Sequence, residues 1–345
     1  MTAVPSVPGV LTAAQVHDTG AAIAAMQENS GALPWFPGGR TDPWDHVESA
    51  MALSATGFRA EAEAAYEWSR RHQRADGSWP IRFDSGTVTD AGIDSNFCAY
   101  IAVGVWHHFL ITEDARFVER MWPTVWSAID RVLDFQRPDG AFRWGGDHHT
   151  RAMFDEALIT GNASIFHSLD AALRIAAHLR QPDDRWLRAH AALGDALRRS
   201  PNAFEAPSEH SMDWYYPVLG GAVRGRAGQE AIARRWDDFV VPGYGVRCVD
   251  HRPWVTGAET SELALALDAL GDTADAVDLI ASIQHLRDPD GSYWTGLVFA
   301  DGKRWPVEKS CWTSAAVVLA ADAVSRTTAG NGVFRDAGTL VSVGS

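Results

Sequence analysis

Two stretches decide how the chain is read: Asp42–Leu53, DPWDHVESAMAL, and Thr256–Leu267, TGAETSELALAL. In the first, Asp42 can cap a helix, and Pro43 suits the first turn because its missing N–H would be unpaired there anyway. Asp45 then falls in the first turn of a helix whose later part is apolar. Sliding the second stretch over the first puts Glu259 on Asp45 and Glu262 on Glu48. Acidic residues three apart share a helix face. Each copy therefore shows two carboxylates near the start of a helix that otherwise reads as buried.

Working outward, a second device recurs. MQENSG (26–31), HQRADGSW (72–79), FQRPDGAF (135–142) and LRDPDGSY (286–293) each follow an amphipathic stretch and end it with Gly. In the first three a Gln precedes that Gly by four residues; Arg287 replaces it in the last. The amphipathic helices are expected at Thr12–Gln27, Phe58–Gln73, Glu113–Gln136, Asp183–Arg199, Ala227–Trp236 and Thr273–Leu286. Helices of another kind follow them, starting near Asp42, Asp94, Thr160, Ser211, Thr256 and Ser310. These are small and apolar on most faces, as in NFCAYIAVGVW and SAAVVLAADAV, which marks them as buried. Six such alternations predict an all-α (α/α)6 toroid, residues 1–345 forming one domain. Short β-hairpins are expected in rim loops, around Asp301-Gly302 and around Asp84-Ser85-Gly86. From Thr327 onward the chain reads as a loose tail or a strap over the ring.

Composition narrows the function. With 345 residues and 46% hydrophobic content the chain can bury a large core. A net charge of −14 argues against nucleic acid and anionic membrane surfaces as partners. Cys98, Cys248 and Cys311 are far apart, so neither a disulfide framework nor a zinc site is expected. No cofactor is expected, and a reducing cytoplasm is the expected home. The opening MTAVPSVPGVLTAAQ lacks the charged start and apolar core of a signal peptide, and no apolar run is long enough to span a bilayer.

In a closed ring the N-termini of the six inner helices meet at one mouth. Asp45, Glu259 and Glu262 are the expected catalytic carboxylates. Substrate contacts are expected from Arg40, Trp44, His46, Trp79, Asn96, Trp144, Asp147, His149, Asp213, Trp214, Tyr215, Trp254, Trp294 and Glu308. Flat indole faces beside acids and amides suit a sugar, whose apolar face covers a ring while its hydroxyls bond to polar groups. Each residue also has a plainer reading. Thr256-x-x-Glu259 matches a capping box, Asp42 and Asp94 read as N-caps, and His148-His149 reads as polar lining rather than a metal pair. Trp68, Trp122, Trp126, Trp186 and Trp236 sit on outer helices as packing.

The layout and the acidic, Trp-bearing mouth resemble the six-hairpin glycosidases. The Gln73-x-x-x-Gly77-x-Trp79 box also resembles the repeat of squalene cyclases and protein prenyltransferases. The acid motifs and zinc ligands of those families have no counterpart here, so that likeness concerns fold. Within the glycosidases, DPWDHVESAM and GKRWPVEKSCWTSAAV look like a compact bacterial type that includes methylmannose polysaccharide hydrolases, which are α-1,4-endomannosidases. That resemblance implies endo cleavage of an α-linked oligo- or polysaccharide, an α-mannoside, by an inverting mechanism with one carboxyl from each of the two opening stretches. A terpene-type cyclase and a non-catalytic sugar-binding protein are the competing functions. Sugar isomerisation by His46, His149 or His251 is a further one.

Overall fold

The computed structural model describes residues 3–206 and 208–339. Its order begins with α1 (Ala13–Met26), α2 (Pro43–Ala55), α3 (Arg59–His72), α4 (Ser95–Ala99), α5 (Ile101–Thr112), α6 (Ala115–Leu133) and α7 (Ile159–His178). Then follow α8 (Asp184–Arg199), α9 (Met212–Leu219), α10 (Gly225–Ala233), α11 (Trp236–Phe239), α12 (Gly257–Leu270), α13 (Thr273–Ser282) and α14 (Cys311–Ser325). The fold is mostly helical. Helices α1, α3, α6, α8, α10 and α13 are the six amphipathic ones, and their bounds fall within a few residues of those expected. The buried set starts as read, with Asp42, Asp94, Ser211, Thr256 and Ser310 at the N-caps.

Two details differ. The second buried helix is split at Tyr100 into α4 and α5. The third begins at Ile159, behind a Leu158 cap that offers no side-chain acceptor. Buried helices pack in chain order: α2 on α5, α5 on α7, α7 on α9, α9 on α12, α12 on α14, and α14 back on α2. One hydrophobic cluster runs through all of them, from Val7 to Phe334.

The Gly-ended turns explain how the outer helices are spaced. Gln27 Nε2 donates to Gly31 O, 3.1 Å, and to Glu61 O on α3, 2.8 Å. Gln73 does the same with Gly77 O (3.0 Å) and Thr124 O on α6 (2.9 Å). Gln136 repeats it with Gly140 O (3.1 Å) and Ala189 O on α8 (3.0 Å). Each amide thus ties its own turn to the next amphipathic helix. Gly31, Gly77, Gly140 and Gly291 all have φ between 87° and 92°. A Cβ on any of them would collide with a backbone carbonyl of the neighbouring helix: Ala64, Ser127, Ala192 and Asp18 respectively. At the fourth turn Arg287 Nη2 reaches Gln15 O on α1, 3.4 Å away.

Strand content exceeds the expectation. The two foreseen hairpins are present, Lys303 opposite Val298 and Phe83 opposite Val88. The first is extended, however, into a five-stranded antiparallel sheet by Trp254–Thr256, Gly245–Arg247 and Val240–Val241. Up to Thr339 the chain end is a strap, not a loose tail; residues 340–345 lie outside the described residues. It crosses the C-terminal ends of α7, α12 and α14 and buries Val333, Phe334 and Ala337. Arg224 Nη2 donates to Phe334 O (2.7 Å), Arg174 Nη2 to Asp336 O (2.9 Å), and His167 Nε2 bonds Val333 O (3.0 Å). The Arg326 guanidinium pairs with the buried Asp268 of α12 at 2.8 Å.

Gly77 and Gly86 separate the two demands on such a turn. Both have positive φ, but around Gly86 a Cβ would meet nothing. Gly86→Ala should cost roughly 1–2 kcal/mol, the left-handed penalty alone. Gly77→Ala adds a backbone collision and should cost a further ~1–3 kcal/mol, read as a larger drop in the urea midpoint.

Candidate functional site

A cavity of about 500 Å³ opens at the N-terminal ends of α2, α4, α7, α9 and α14. Three of these helices, α2, α4 and α14, are capped on that side by the side chains of Asp42, Asp94 and Ser310. Asp42 Oδ1 accepts from Trp44 N–H (3.0 Å) and Asp45 N–H (2.9 Å); Asp94 Oδ1 accepts from Asn96 N–H (2.8 Å) and Phe97 N–H (3.1 Å). The plainer reading of Asp42 and Asp94 as caps is what the geometry shows. Asp94 does more, for its carboxylate also lines the cavity.

Asp45 is half-buried at the cavity wall. Loss of solvent pushes its carboxyl well above the usual range, the Asp42 charge adds to this, Arg40 opposes it and Glu48 adds a little. Burial likewise pushes Asp94 up to about 7 against its two backbone donors. Across the cavity the Asp213 carboxylate accepts from Thr160 Oγ1–H (2.6 Å) and Ser208 N–H (2.8 Å). Asn96 Oδ1 is buried there without a hydrogen-bond partner.

The aromatic wall is ordered by stacking. Trp44 lies on Tyr100 with centroids 4.5 Å apart and meets the edge of Trp312 at 6.2 Å. Trp144 stacks on Phe154 at 5.0 Å. Phe97, Leu158, Ile159, Ile165 and Met212 add apolar wall beside polar residues such as Thr160, Ser208 and His210.

Glu48 and Glu262 lie one turn deeper and are fully buried. Tyr215 and Tyr216 both donate their hydroxyls to Glu262, the latter at 2.8 Å, while Tyr100 donates to Glu48 at 3.1 Å. Burial raises Glu262 to about 8, despite the two tyrosine donors. Glu48 is raised by burial and then by the nearby Glu262 charge. Glu259, expected at the mouth, stands in the first turn of α12 but is buried and does not line the cavity. The capping box of its plainer reading does not form either: Thr256 makes no side-chain cap bond, and its Oγ1 is unpartnered. The Cys248 thiol faces Glu259, and is pushed upward by burial and by that carboxylate.

Of the expected substrate contacts, Trp44, Asn96, Trp144 and Asp213 line this cavity. Arg40 sits beside it, its guanidinium 4.6 Å from the Trp35 ring centre. Others face elsewhere. His46 is fully buried, Nδ1 accepting from Leu33 N–H (3.0 Å) and Nε2 bonded to Ala65 O (2.9 Å). Protonating it would turn that acceptor into a donor facing an N–H, and burial lowers it to about 4. Trp79 turns inward, its Nε1–H on Ser69 O (2.8 Å), and Trp214 does so on Ala231 O (3.0 Å), packed against Phe239. Tyr215 serves Glu262 from the core.

Asp147 caps its own turn through His149 and Thr150 N–H. His149 lines a separate polar groove with His148, Asp76 and Arg131. Trp254 belongs to the rim sheet, bonded to Trp305 O at 2.7 Å. Trp294 and Glu308 line a second groove beside α1. Tyr216, Met212 and Phe97 were missed; Tyr216 was adjacent to a residue already picked, one helical step round. Among the described residues no group of three or more His, Cys, Asp or Glu is placed to hold a metal ion, and no helix is long and apolar enough to cross a membrane.

No protein-family model matches the chain. It is, however, 59% identical over 333 residues to the MMP endo-(1,4)-3-O-methyl-alpha-D-mannosidase of Mycolicibacterium hassiacum, covering 96% of this chain and 92% of that relative. The chain belongs to that endomannosidase's family. It is a glycoside hydrolase. Among solved structures, a glycosidase in complex with glucose superimposes with a TM-score of 0.70 over 90% of this chain and 97% of the other, at 19% identity. A D-mannose isomerase does so at 0.68 over 91% and 96%, at 12% identity. At these identities the likeness is one of fold, and the fold is glycosidase-like.

The raised Glu262 gives this family member a pH signature. In the unfolded chain its carboxyl ionises in the ordinary glutamate range, whereas in the fold it stays neutral up to about 8. Unfolding between those values releases a proton, so stability falls as pH rises through the window. Glu262→Gln should flatten that fall. The check is the melting temperature of both proteins measured from pH 5 to pH 8.

Proposed function

We propose that this chain hydrolyses internal α-(1→4) bonds of a 3-O-methylated mannan, with Asp45 as general acid and Glu259 as general base of an inverting reaction. The observation that carries the reading is Asp45, a carboxyl in the wall of the cavity and pushed toward its neutral form. A general acid must hold its proton near neutrality, and burial beside other carboxylates supplies that. Asp45 would protonate the glycosidic oxygen as the bond from C1 breaks. A water, losing a proton to the second carboxylate, would attack C1 from the opposite face. Glu259 is favoured over Glu262 because it stands one turn nearer the helix start. Both oxygens of Glu262 already accept tyrosine hydroxyls. Helix α14 separates α2 from α12, which supports a gap wide enough for a water, about 6.5–9.5 Å in inverting enzymes.

The walls support a methylated sugar. A methyl ether replaces a hydrogen-bond donor by an apolar cap, so such a ligand needs carbon-lined pockets beside acceptors for its free hydroxyls. Phe97, Leu158, Ile159 and Met212 supply the first, and Asp94, Asn96 and Asp213 the second. The relative is named for action on a 3-O-methyl-α-D-mannoside. The packing of each buried helix on the next and of α14 on α2 supports a closed (α/α)6 toroid forming one domain. Three free thiols support a cytoplasmic home. Isomerisation is disfavoured: His46 is locked in the core, His149 lies in another groove, and His251 is exposed beside Asp250 and Glu209.

Asp45→Asn and Glu259→Gln should each lower turnover of a methylated mannan by roughly 100- to 10,000-fold with the circular dichroism unchanged. Full turnover by Asp45→Asn would overturn the acid assignment. The anomer formed first, read by proton NMR during hydrolysis, should be β; an α product would overturn inversion.

A further inference from the structure

A second groove, about 530 Å³, lies on the same side of the molecule as the cavity, between the end of α1 and the loops that precede α2 and α14. Trp294 forms one wall, with Lys309 Nζ 5.3 Å from its ring centre. Phe36, Pro37 and the largely exposed Val307 (80% accessible) form the apolar rest. Asp290 and Glu308 supply acceptors, Asp290 also taking a bond from Lys309 at 2.6 Å. An indole face, carbon-lined walls and carboxylate acceptors are the same mixture that lines the catalytic cavity.

The two are joined by a row of aromatic rings. Trp44, in the cavity wall, meets Trp312 at 6.2 Å, and Trp312 meets Trp35 at 5.8 Å. Trp35 Nε1–H is bonded to Glu308 Oε1 at 2.6 Å, and Glu308 lines the groove. Trp35 is fixed at the start of α14 by the bond from Cys311 N–H to its carbonyl, 2.8 Å. An enzyme that cuts inside a polymer must hold sugar units on both sides of the cut, so chain leaving the cavity needs a path. This row offers one, from the reacting bond out to the groove.

We propose that the Trp294 groove holds a distal stretch of the substrate glycan, several units away from the bond that is cut. This rests on the mannan reading above. The groove sets preference for long chains and takes no part in bond cleavage. Its loss therefore raises KM for long substrates without changing kcat, because binding made equally in ground and transition state does not accelerate the chemical step.

Phe36→Ala removes one wall, and Val307→Glu places a charge on an exposed loop position where folding is not at stake. Wild type and both variants are assayed on full-length methylated mannan and on a short methylated manno-oligosaccharide that fills the cavity alone. Expected is a roughly three- to tenfold rise in KM for the polymer, the range of one lost aromatic contact, with the short substrate unaffected. Equal changes on both substrates, or none on either, overturn the groove proposal while the mannan reading stands. If the wild type cleaves neither substrate, the mannan reading falls and takes the groove proposal with it.

Discussion

The distance between neighbouring outer helices is fixed by backbone meeting backbone. At Gly31, Gly77, Gly140 and Gly291 the turn that ends one amphipathic helix touches a carbonyl of another so closely that no Cβ fits. Positive φ and missing side chain are demanded together, which only glycine satisfies. The forked amide of Gln27, Gln73 and Gln136 then satisfies two carbonyls at once, one on each side of the contact. Such carbonyls, half-buried between helices, would otherwise be unpaired. The fourth contact joins the last of these turns to α1, with the longer Arg287 in place of Gln. Once the outer helices are spaced in this way, the buried ones have only one side on which to present their first turns. The cavity is the result.

That constraint was legible because it is written in local sequence. Gly at a fixed offset from Gln, repeated at helix ends, needs no tertiary knowledge, and neither do Asp42, Asp94 or Ser310 as caps. Side-chain direction was not legible. Trp79 follows Gly77 closely and was read as facing the mouth. The tight turn instead points it back along α3, where Ser69 O takes its N–H. Trp214 and Tyr216 are two residues apart on α9, about 200° round the helix, and face opposite ways. A helix apolar on every side gives no moment from which to decide which of them sees the cavity. The five-stranded sheet was missed for a related reason. Its strands are two or three residues long, too short for an alternating pattern to appear.

Depth along the helix separates the carboxylates that sequence could only pair. Asp45 and Glu259 occupy first turns; Asp45 is half-buried at the cavity wall, whereas Glu259 is buried beside Cys248 and does not line the cavity. Glu48 and Glu262 follow three residues later, about 4.5 Å further along the axis, and both are fully buried in the core. Two ionised carboxylates there would be costly, since burial penalises charge and the Glu262 charge raises Glu48 further. The three tyrosines Tyr100, Tyr215 and Tyr216 come from α9 and the α4–α5 junction, and their hydroxyls meet the pair.

Those tyrosines also tie the floor of the cavity to its wall. Tyr216 lines the cavity and bonds Glu262 below it, and Tyr100 carries Trp44 on its ring face while bonding Glu48. The first turn of α2, with Asp45 between Trp44 and His46, is therefore gripped from three directions. His46 is held by Leu33 and Ala65, Trp44 by Tyr100, and the backbone by the Asp42 cap. A residue expected to touch substrate, His46, thus works from the core side, fixing the turn that carries Asp45. In the role proposed for Asp45, a proton donor has to be positioned to within a fraction of an ångström to be effective. The buried histidine, the stacked indole and the deep glutamates hold the half-exposed Asp45 carboxyl in place.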